Sequence, residues 1–382
     1  MTANQLLDPA TERKIRYAVV GLGWFAQATA LPAFANTENS QVVALVSDDA
    51  TKRTEVAKKY GIEETDTYTY DRYDELLSSG TIDAVYIALP NHLHCDYTLR
   101  AAQAGIHILC EKPMAVTVAE CERMIAAARE NHVKLAIAYR LHFDAANLQA
   151  IEIVNSGQIG EPRFFHSIFA QQNEGANSRM RADTGSGTIE DIGIYCINAA
   201  RYIFRAEPIE VFATSASNGE ERFREVAEMS SAILRFPGDR LATFTCSFGA
   251  AKIATYQVMG TAGNLHVEPA YAIQAHIKHV LSIDDAPTQE YSFEPHDQLA
   301  AVFSYFSDCV LDDQEPAPSG TEGLIDIKII RALKESIETG KFVSVAGIEP
   351  PPQRPTVAQQ IECPPIQQQP QLVNAADPAG KS

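Results

Sequence analysis

The stretch Tyr17-Ala18-Val19-Val20-Gly21-Leu22-Gly23-Trp24-Phe25-Ala26 decides the fold. Its apolar start predicts a buried strand. Gly21 then makes the tight turn, Gly23 lets the backbone approach a pyrophosphate, and Ala26 permits close packing of a helix on the strand. The phosphates would lie on a helix N-terminus, where unpaired N–H groups and the dipole favour an anion. A second apolar run, 42–46, follows at the spacing of a βαβ unit. The turn is therefore read as dinucleotide-binding, with Gly21, Gly23, Trp24 and Phe25 at the cofactor. Trp24 either covers the nicotinamide side of the pyrophosphate or pads the start of the helix.

The end of the second strand selects the cofactor. An acid usually stands there to hold the ribose of NAD, and it would repel a 2′-phosphate. This chain has Ser47 instead, followed by Asp48, Asp49, Ala50, Thr51, Lys52 and Arg53. A serine hydroxyl can bond a phosphate and Lys52 or Arg53 can supply charge, so NADP(H) is expected. The alternative is that Asp48 does the acid's job and the two cations solvate a helix face.

Outward from this unit, strand patterns at 16–20, 42–46, 84–88, 107–110 and 135–139 alternate with helical patterns at 51–60, 94–104 and 118–130. They predict an α/β Rossmann domain with a doubly wound parallel sheet over 15–140, after a lead-in at 1–14. Beyond it come helices near 145–155 and 189–204 and β runs at 164–170, 209–214, 230–236, 242–248, 254–259, 264–267 and 272–280. Consecutive strands joined by turns predict an α+β domain over 141–343 with a large, mostly antiparallel open sheet, closed by helices at 298–311 and 321–339. The open face needs a partner, so a homodimer or homotetramer is expected. The Pro- and Gln-rich tail, 344–382, is read as disordered or as an extended arm laid on another surface.

The 382 residues include 31 basic and 49 acidic side chains, a net charge of −18 that repels nucleic acid and anionic membrane surfaces. Residues 1–14 carry no signal-peptide pattern and no apolar run approaches a membrane span, so a cytoplasmic protein is expected. Its seven cysteines are scattered without a CxxC pair and are expected to be reduced.

The chemistry is read at the strand ends. Glu111-Lys112-Pro113 follows the run 107–110, at the carboxyl edge of the sheet where ligands bind. Pro113 biases Lys112 to an extended backbone, which aims the ammonium. Leu89-Pro90-Asn91-His92-Leu93-His94 follows the run 84–88 and is expected to border the cofactor. The two histidines lack a third ligand, so no metal is expected. Asp191 and Tyr195 lie four apart on a helical pattern and so share a face. A phenol beside a lysine is a usable proton shuttle, because the ammonium stabilises the phenolate. Equally, Asp191 could be a helix N-terminal charge and Tyr195 a core tyrosine.

The glycine turn, LPNHLH at 89–94, EKP at 111–113, YRLHFD at 139–144 and DIGIY at 191–195, in one order, resemble the glucose-fructose oxidoreductase and inositol dehydrogenase (Gfo/Idh/MocA) family over about residues 15–343. The resemblance implies Lys112 and Tyr195 as the catalytic pair, with Asp191 supporting a sugar substrate, and a cis Lys112-Pro113 bond. It also implies cofactor contacts from Gly21, Gly23, Ser47, Lys52, Leu89, Pro90, Asn91, His94 and Glu111. Arg140 and His142 could bind sugar hydroxyls or pair with Asp144. Two features depart from the family: the export signal of its periplasmic glucose-fructose member is not seen, and Asp48 replaces a small residue. The expected activity is NADP(H)-dependent oxidation of a pyranose at C1 to a lactone. The alternatives are an oxidoreductase that recycles tightly held NADP between two sugars, and a non-catalytic NADP-binding sensor.

Overall fold

Strand β1 (Ile15–Val20) is buried along its length because both of its faces are covered. Tyr17 and Val19 enter one apolar cluster, and Ala18 and Val20 enter the other. That two-sided burial is why the stretch reads as a continuous apolar run instead of alternating. The computed structural model describes residues 13–174, 178–368 and 370–378; the expected lead-in at 1–14 lies outside these apart from its last two residues.

Around β1 the first sheet is wholly parallel, in the order β3-β2-β1-β4-β5-β6, from β2 (Ser40–Val46), β3 (Thr67–Tyr68), β4 (Ala84–Ile87), β5 (His107–Cys110) and β6 (Leu135–Ile137). The order reverses between β1 and β4, which opens a crevice at the carboxyl ends of those strands. Helices Ala50–Tyr60, His94–Gln103 and Val118–Glu130 form the crossovers. The last starts with a complete capping box, Thr117 and Glu120 each bonding the other's main chain. One later helix, Gln298–Leu311, returns to this sheet. Its Phe303 packs edge-on to Tyr17 and Tyr86, and its Ser307 bonds the Tyr17 hydroxyl at 2.8 Å.

The second sheet has nine strands in the order β14-β13-β12-β11-β7-β10-β9-β8-β15. They are β7 (Pro162–Ala170), β8 (Glu210–Ala216), β9 (Met229–Phe236), β10 (Arg240–Ser247), β11 (Ile253–Gly260), β12 (Gly263–Glu268), β13 (Ile277–Ile283), β14 (Gln289–Phe293) and β15 (Val343–Ser344). All pairs are antiparallel except β7 with β10, which run parallel. β7 is a central strand inserted between two later ones, so its neighbours cannot be read from chain order. Helices Ala145–Asn155, Ile194–Phe204 and Gly320–Thr339 cover one face. The other face leaves Phe164, Leu241 and Ile233 exposed at 47%, 42% and 37%.

Beyond β15 the tail has one short 3-10 turn, Val357–Gln359, among the described residues. It runs as an extended arm along the chain's own surface, bonding Phe143 through Ile361, Asp297 through Cys363 and Asn36 through Pro364. Among the described residues no helix is long and apolar enough to cross a membrane, and no group of three or more metal-binding side chains is present.

Candidate active site

The glycine turn is built as the sequence requires. Gly21 has φ +99°, and a Cβ there would sit 2.6 Å from the Ala88 carbonyl, so only glycine fits between β1 and the loop after β4. A Cβ on Gly23 would meet nothing within 4 Å, so the space before it is open to a ligand. The helix that opens at Trp24 passes through a π-helical segment, Ala26–Ala30. Trp24 is half-buried, and Phe25 packs against the core beneath the sheet.

At the end of β2, Ser47 is buried and its hydroxyl accepts from the Asp49 main chain at 3.3 Å. Asp48, the acid that would oppose a 2′-phosphate, accepts from the Tyr70 main chain at 2.9 Å. Asp49 caps the next helix by accepting from Lys52 N at 3.0 Å. The guanidinium of Arg53 bonds the Ser47 carbonyl. Of the two cations considered from sequence, Arg53 stands beside the serine and Lys52 lies in the first turn of the helix. An open glycine turn, a buried serine and two cations suit a phosphorylated dinucleotide.

Lys112 leaves the end of β5, and its peptide bond to Pro113 is cis. Its ammonium bonds the Asp191 main-chain carbonyl at 2.8 Å, stands 3.4 Å from an Asp191 carboxylate oxygen, and lies 4.8 Å from the centre of the Tyr195 ring. Arg179 reaches the other Asp191 oxygen at 3.3 Å. Burial pushes the Asp191 carboxyl up, but Arg179 and Lys112 outweigh it and hold the group below its ordinary range. Asp191 lies in a π-helical segment, Ile189–Gly193, that runs into the helix Ile194–Phe204, so the wider turn replaces the regular helical spacing expected between Asp191 and Tyr195. Gly193 has no side chain to hold this segment off β10, where a Cβ would come within 3.3 Å of Phe244 and Cys246.

Four sequence expectations change. Arg140 is 4% exposed and is not free for sugar hydroxyls: it bonds Gln298 and the Tyr271 carbonyl, and its Nε stands 3.3 Å from the Tyr195 hydroxyl. Its guanidinium also lies 4.9 Å from the Tyr195 ring centre. His142 is buried against Phe143 and Tyr202, and burial pushes its pKa down to about 3, so it is a neutral core histidine. His94 is wholly buried, its ring nitrogens facing the carbonyls of Pro113 at 2.9 Å and Leu89 at 2.8 Å. It ties the β4 and β5 loops together instead of touching a cofactor. Asn91 likewise spends its amide on the Gly185 carbonyl at 3.0 Å. Leu89 is buried behind Gly21, while Pro90 is half-buried. Glu111 accepts from the Tyr86 hydroxyl at 2.6 Å and from Lys112 N at 3.2 Å; burial raises its pKa against both partners.

Arg179, Gln298 and Tyr271 complete the surroundings of the Lys112, Asp191 and Tyr195 group. None lies in a motif, and only the fold brings them there. Lys112, Arg140 and Tyr195 share one pocket wall with Asn198, Tyr202 and Tyr256.

Comparison with known proteins is consistent with this geometry. Residues 15–139 match an oxidoreductase family with an NAD-binding Rossmann fold, and residues 147–266 match the GFO/IDH/MocA C-terminal domain. The chain is 36% identical over 347 residues to a D-xylose 1-dehydrogenase [NADP(+)] of Haloarcula marismortui, covering 87% of this chain and 94% of that protein. An aldose-aldose oxidoreductase from Caulobacter crescentus, solved with glycerol, superposes with a TM-score of 0.83 at 35% identity over 87% of this chain and all of the other. A 3-ketoreductase from Actinomadura kijaniata, solved with NADP and TDP-benzene, gives 0.77 at 26% identity over 85% and 98%.

Proposed function

The chain belongs to the GFO/IDH/MocA oxidoreductase family and is an NADP-dependent oxidoreductase acting on sugar CH–OH groups; from this premise we propose that it oxidises a pyranose at C1 to the lactone. The observation that carries the reading is Tyr195 beside two cations, with Lys112 and Arg140 each within 5 Å of its ring centre. With both cations beside its ring, Tyr195 can take the C1 hydroxyl proton as general base. Lys112 orients that hydroxyl and stabilises the developing oxyanion. Asp191, kept ionised by Arg179 and Lys112, fixes the ammonium. When bound, the nicotinamide supplies the hydride chemistry. The pocket suits a pyranose because aromatic and aliphatic walls meet its ring faces while a few polar heads meet its rim.

The same reading includes a cytoplasmic homo-oligomer that buries the outer face of the second sheet. Phe164 and Leu241 are register partners there, and Ile233 extends the patch onto β9. The test is to mix purified protein with NADP and a panel of aldoses, following reduced cofactor and trapping the product. Lactone formed in step with NADPH is expected. Oxidation at another carbon, or turnover with NAD alone, would defeat the reading.

A further inference from the structure

We propose that residues 373–378 of the C-terminal arm form the outer wall of the cofactor crevice and slow the exit of NADP(H), an inference that rests on the NADP reading above. The arm has no core of its own, yet it is anchored along its course. Arg354 bonds Glu207 at 2.6 Å and the Arg201 carbonyl at 3.2 Å within the second domain. By Ile361, Cys363 and Pro364 the chain has crossed to the helix Gln298–Leu311 and the first sheet.

It then enters the crevice region. Gln27, 3% exposed and one turn into the helix behind Gly23, pairs its amide with the main chain of Val373 in both directions: its Nε2 donates to the carbonyl at 2.9 Å, and Val373 N donates back at 2.8 Å. The next residue, Asn374, donates to the Asp49 carboxylate at 3.1 Å, two residues beyond Ser47. Lys59 bonds the Gln371 carbonyl at 3.4 Å. The phosphates belong at Gly23 and the ribose phosphate at Ser47, so a segment tied to Gln27 and Asp49 lies across the strand ends between those two subsites. Four residues later the Pro378 carbonyl accepts from Glu174 N at 3.0 Å, on the second domain. Four residues span at most ~14 Å, so the arm closes that short gap between the domains. Cofactor leaving the crevice must wait for these bonds to break, which slows exit without requiring any new contact to the nicotinamide.

The experiment compares the full chain with a chain ending at Pro370, which keeps the Arg354 and Cys363 anchors, and with Val373→Pro, which removes the N–H that meets Gln27. Each is loaded with NADPH and chased with excess NADP, and release is followed by the fluorescence of bound NADPH, with cofactor content measured after gel filtration. Release at least tenfold faster from the shortened chain, with Val373→Pro in between, is expected. Equal release rates from all three overturn the proposal. Tighter binding or faster loading of the shortened chain also overturns it, because the arm would then occupy the cofactor's own place. Should neither chain bind NADPH while both bind NADH, it is the cofactor reading beneath the proposal that fails.

Discussion

Two ionic clusters stand back to back in this molecule, and they are balanced in opposite directions. In the cleft, Lys112, Arg179 and Arg140 face two carboxylates, Asp191 and Glu111, and one phenol, Tyr195. Behind it, Arg201 and Arg354 face three carboxylates: Glu207, Glu322 and Asp326. The dividing line runs between neighbouring residues. Tyr139 donates to Asp326 while Arg140 turns to Tyr195, and on the following helix Asn198 points to Asp326 while Tyr195 faces the cleft. The rear cluster is closed, with Arg201 wholly buried, and its acidic excess shows in its titration: burial pushes both Glu322 and Asp326 up despite Arg201. The cleft keeps its cationic excess, which a developing oxyanion can use. Charge imbalance alone therefore does not mark a functional site; imbalance left uncompensated beside a pocket does.

The largest effect expected is catalytic. Tyr195→Phe removes one oxygen from the cleft cluster, so turnover should fall by roughly 10² to 10⁴ while stability changes by less than about 1 kcal/mol. Lys112→Met should behave alike, and the double variant should be little worse than either. Near-full sugar oxidation by Tyr195→Phe would erase the functional half of the comparison. Arg201→Met should do the opposite, costing about 3 to 5 kcal/mol of stability because it strands buried carboxylates. Denaturant unfolding measures this, and a loss below ~1 kcal/mol would show that the rear cluster does not depend on its guanidinium.

The cofactor end of the cleft asks how far the cationic excess extends. Ser47→Asp, beside Arg53, should shift preference from NADP towards NAD by something on the order of 1 to 3 kcal/mol, read as the ratio of the two Kd values. Unchanged preference would place the 2′-phosphate elsewhere. The smallest effect concerns the titration of the rear cluster. Glu322 has a folded pKa raised from 4.5 to about 7, so its contribution is fully present below about 4.5 and is lost as pH rises through about 7. The slope cannot exceed ~1.4 kcal/mol per pH unit for one proton. Glu322→Gln imitates the protonated form and should flatten the decline in stability between about pH 4.5 and 7; an unchanged decline would move the proton to another group.

The sequence by itself determined the parallel sheet, the glycine turn and the strand end that presents Lys112, because each rests on local backbone chemistry: apolar runs for buried strands, glycine for a positive φ, proline after the lysine. The helices Val118–Glu130 and Gln298–Leu311 were legible to the residue from periodicity, and Ala145–Asn155 nearly so. Short edge strands such as β3 and β15 were not, having two residues each and no period. Nor was the parallel pairing of β7 with β10, which depends on a distant strand arriving. Only the tertiary structure decided where side chains at the strand ends point: Arg140 to Tyr195, His142 into the core, His94 between two loop carbonyls. A motif fixes residue type and spacing, but the side-chain rotamer is chosen by neighbours from elsewhere in the chain. The course of the C-terminal arm is the extreme case. With little to bury and no repeat, its sequence specifies no structure of its own, and its path is fixed by the hydrogen-bonding groups that the folded surface offers it.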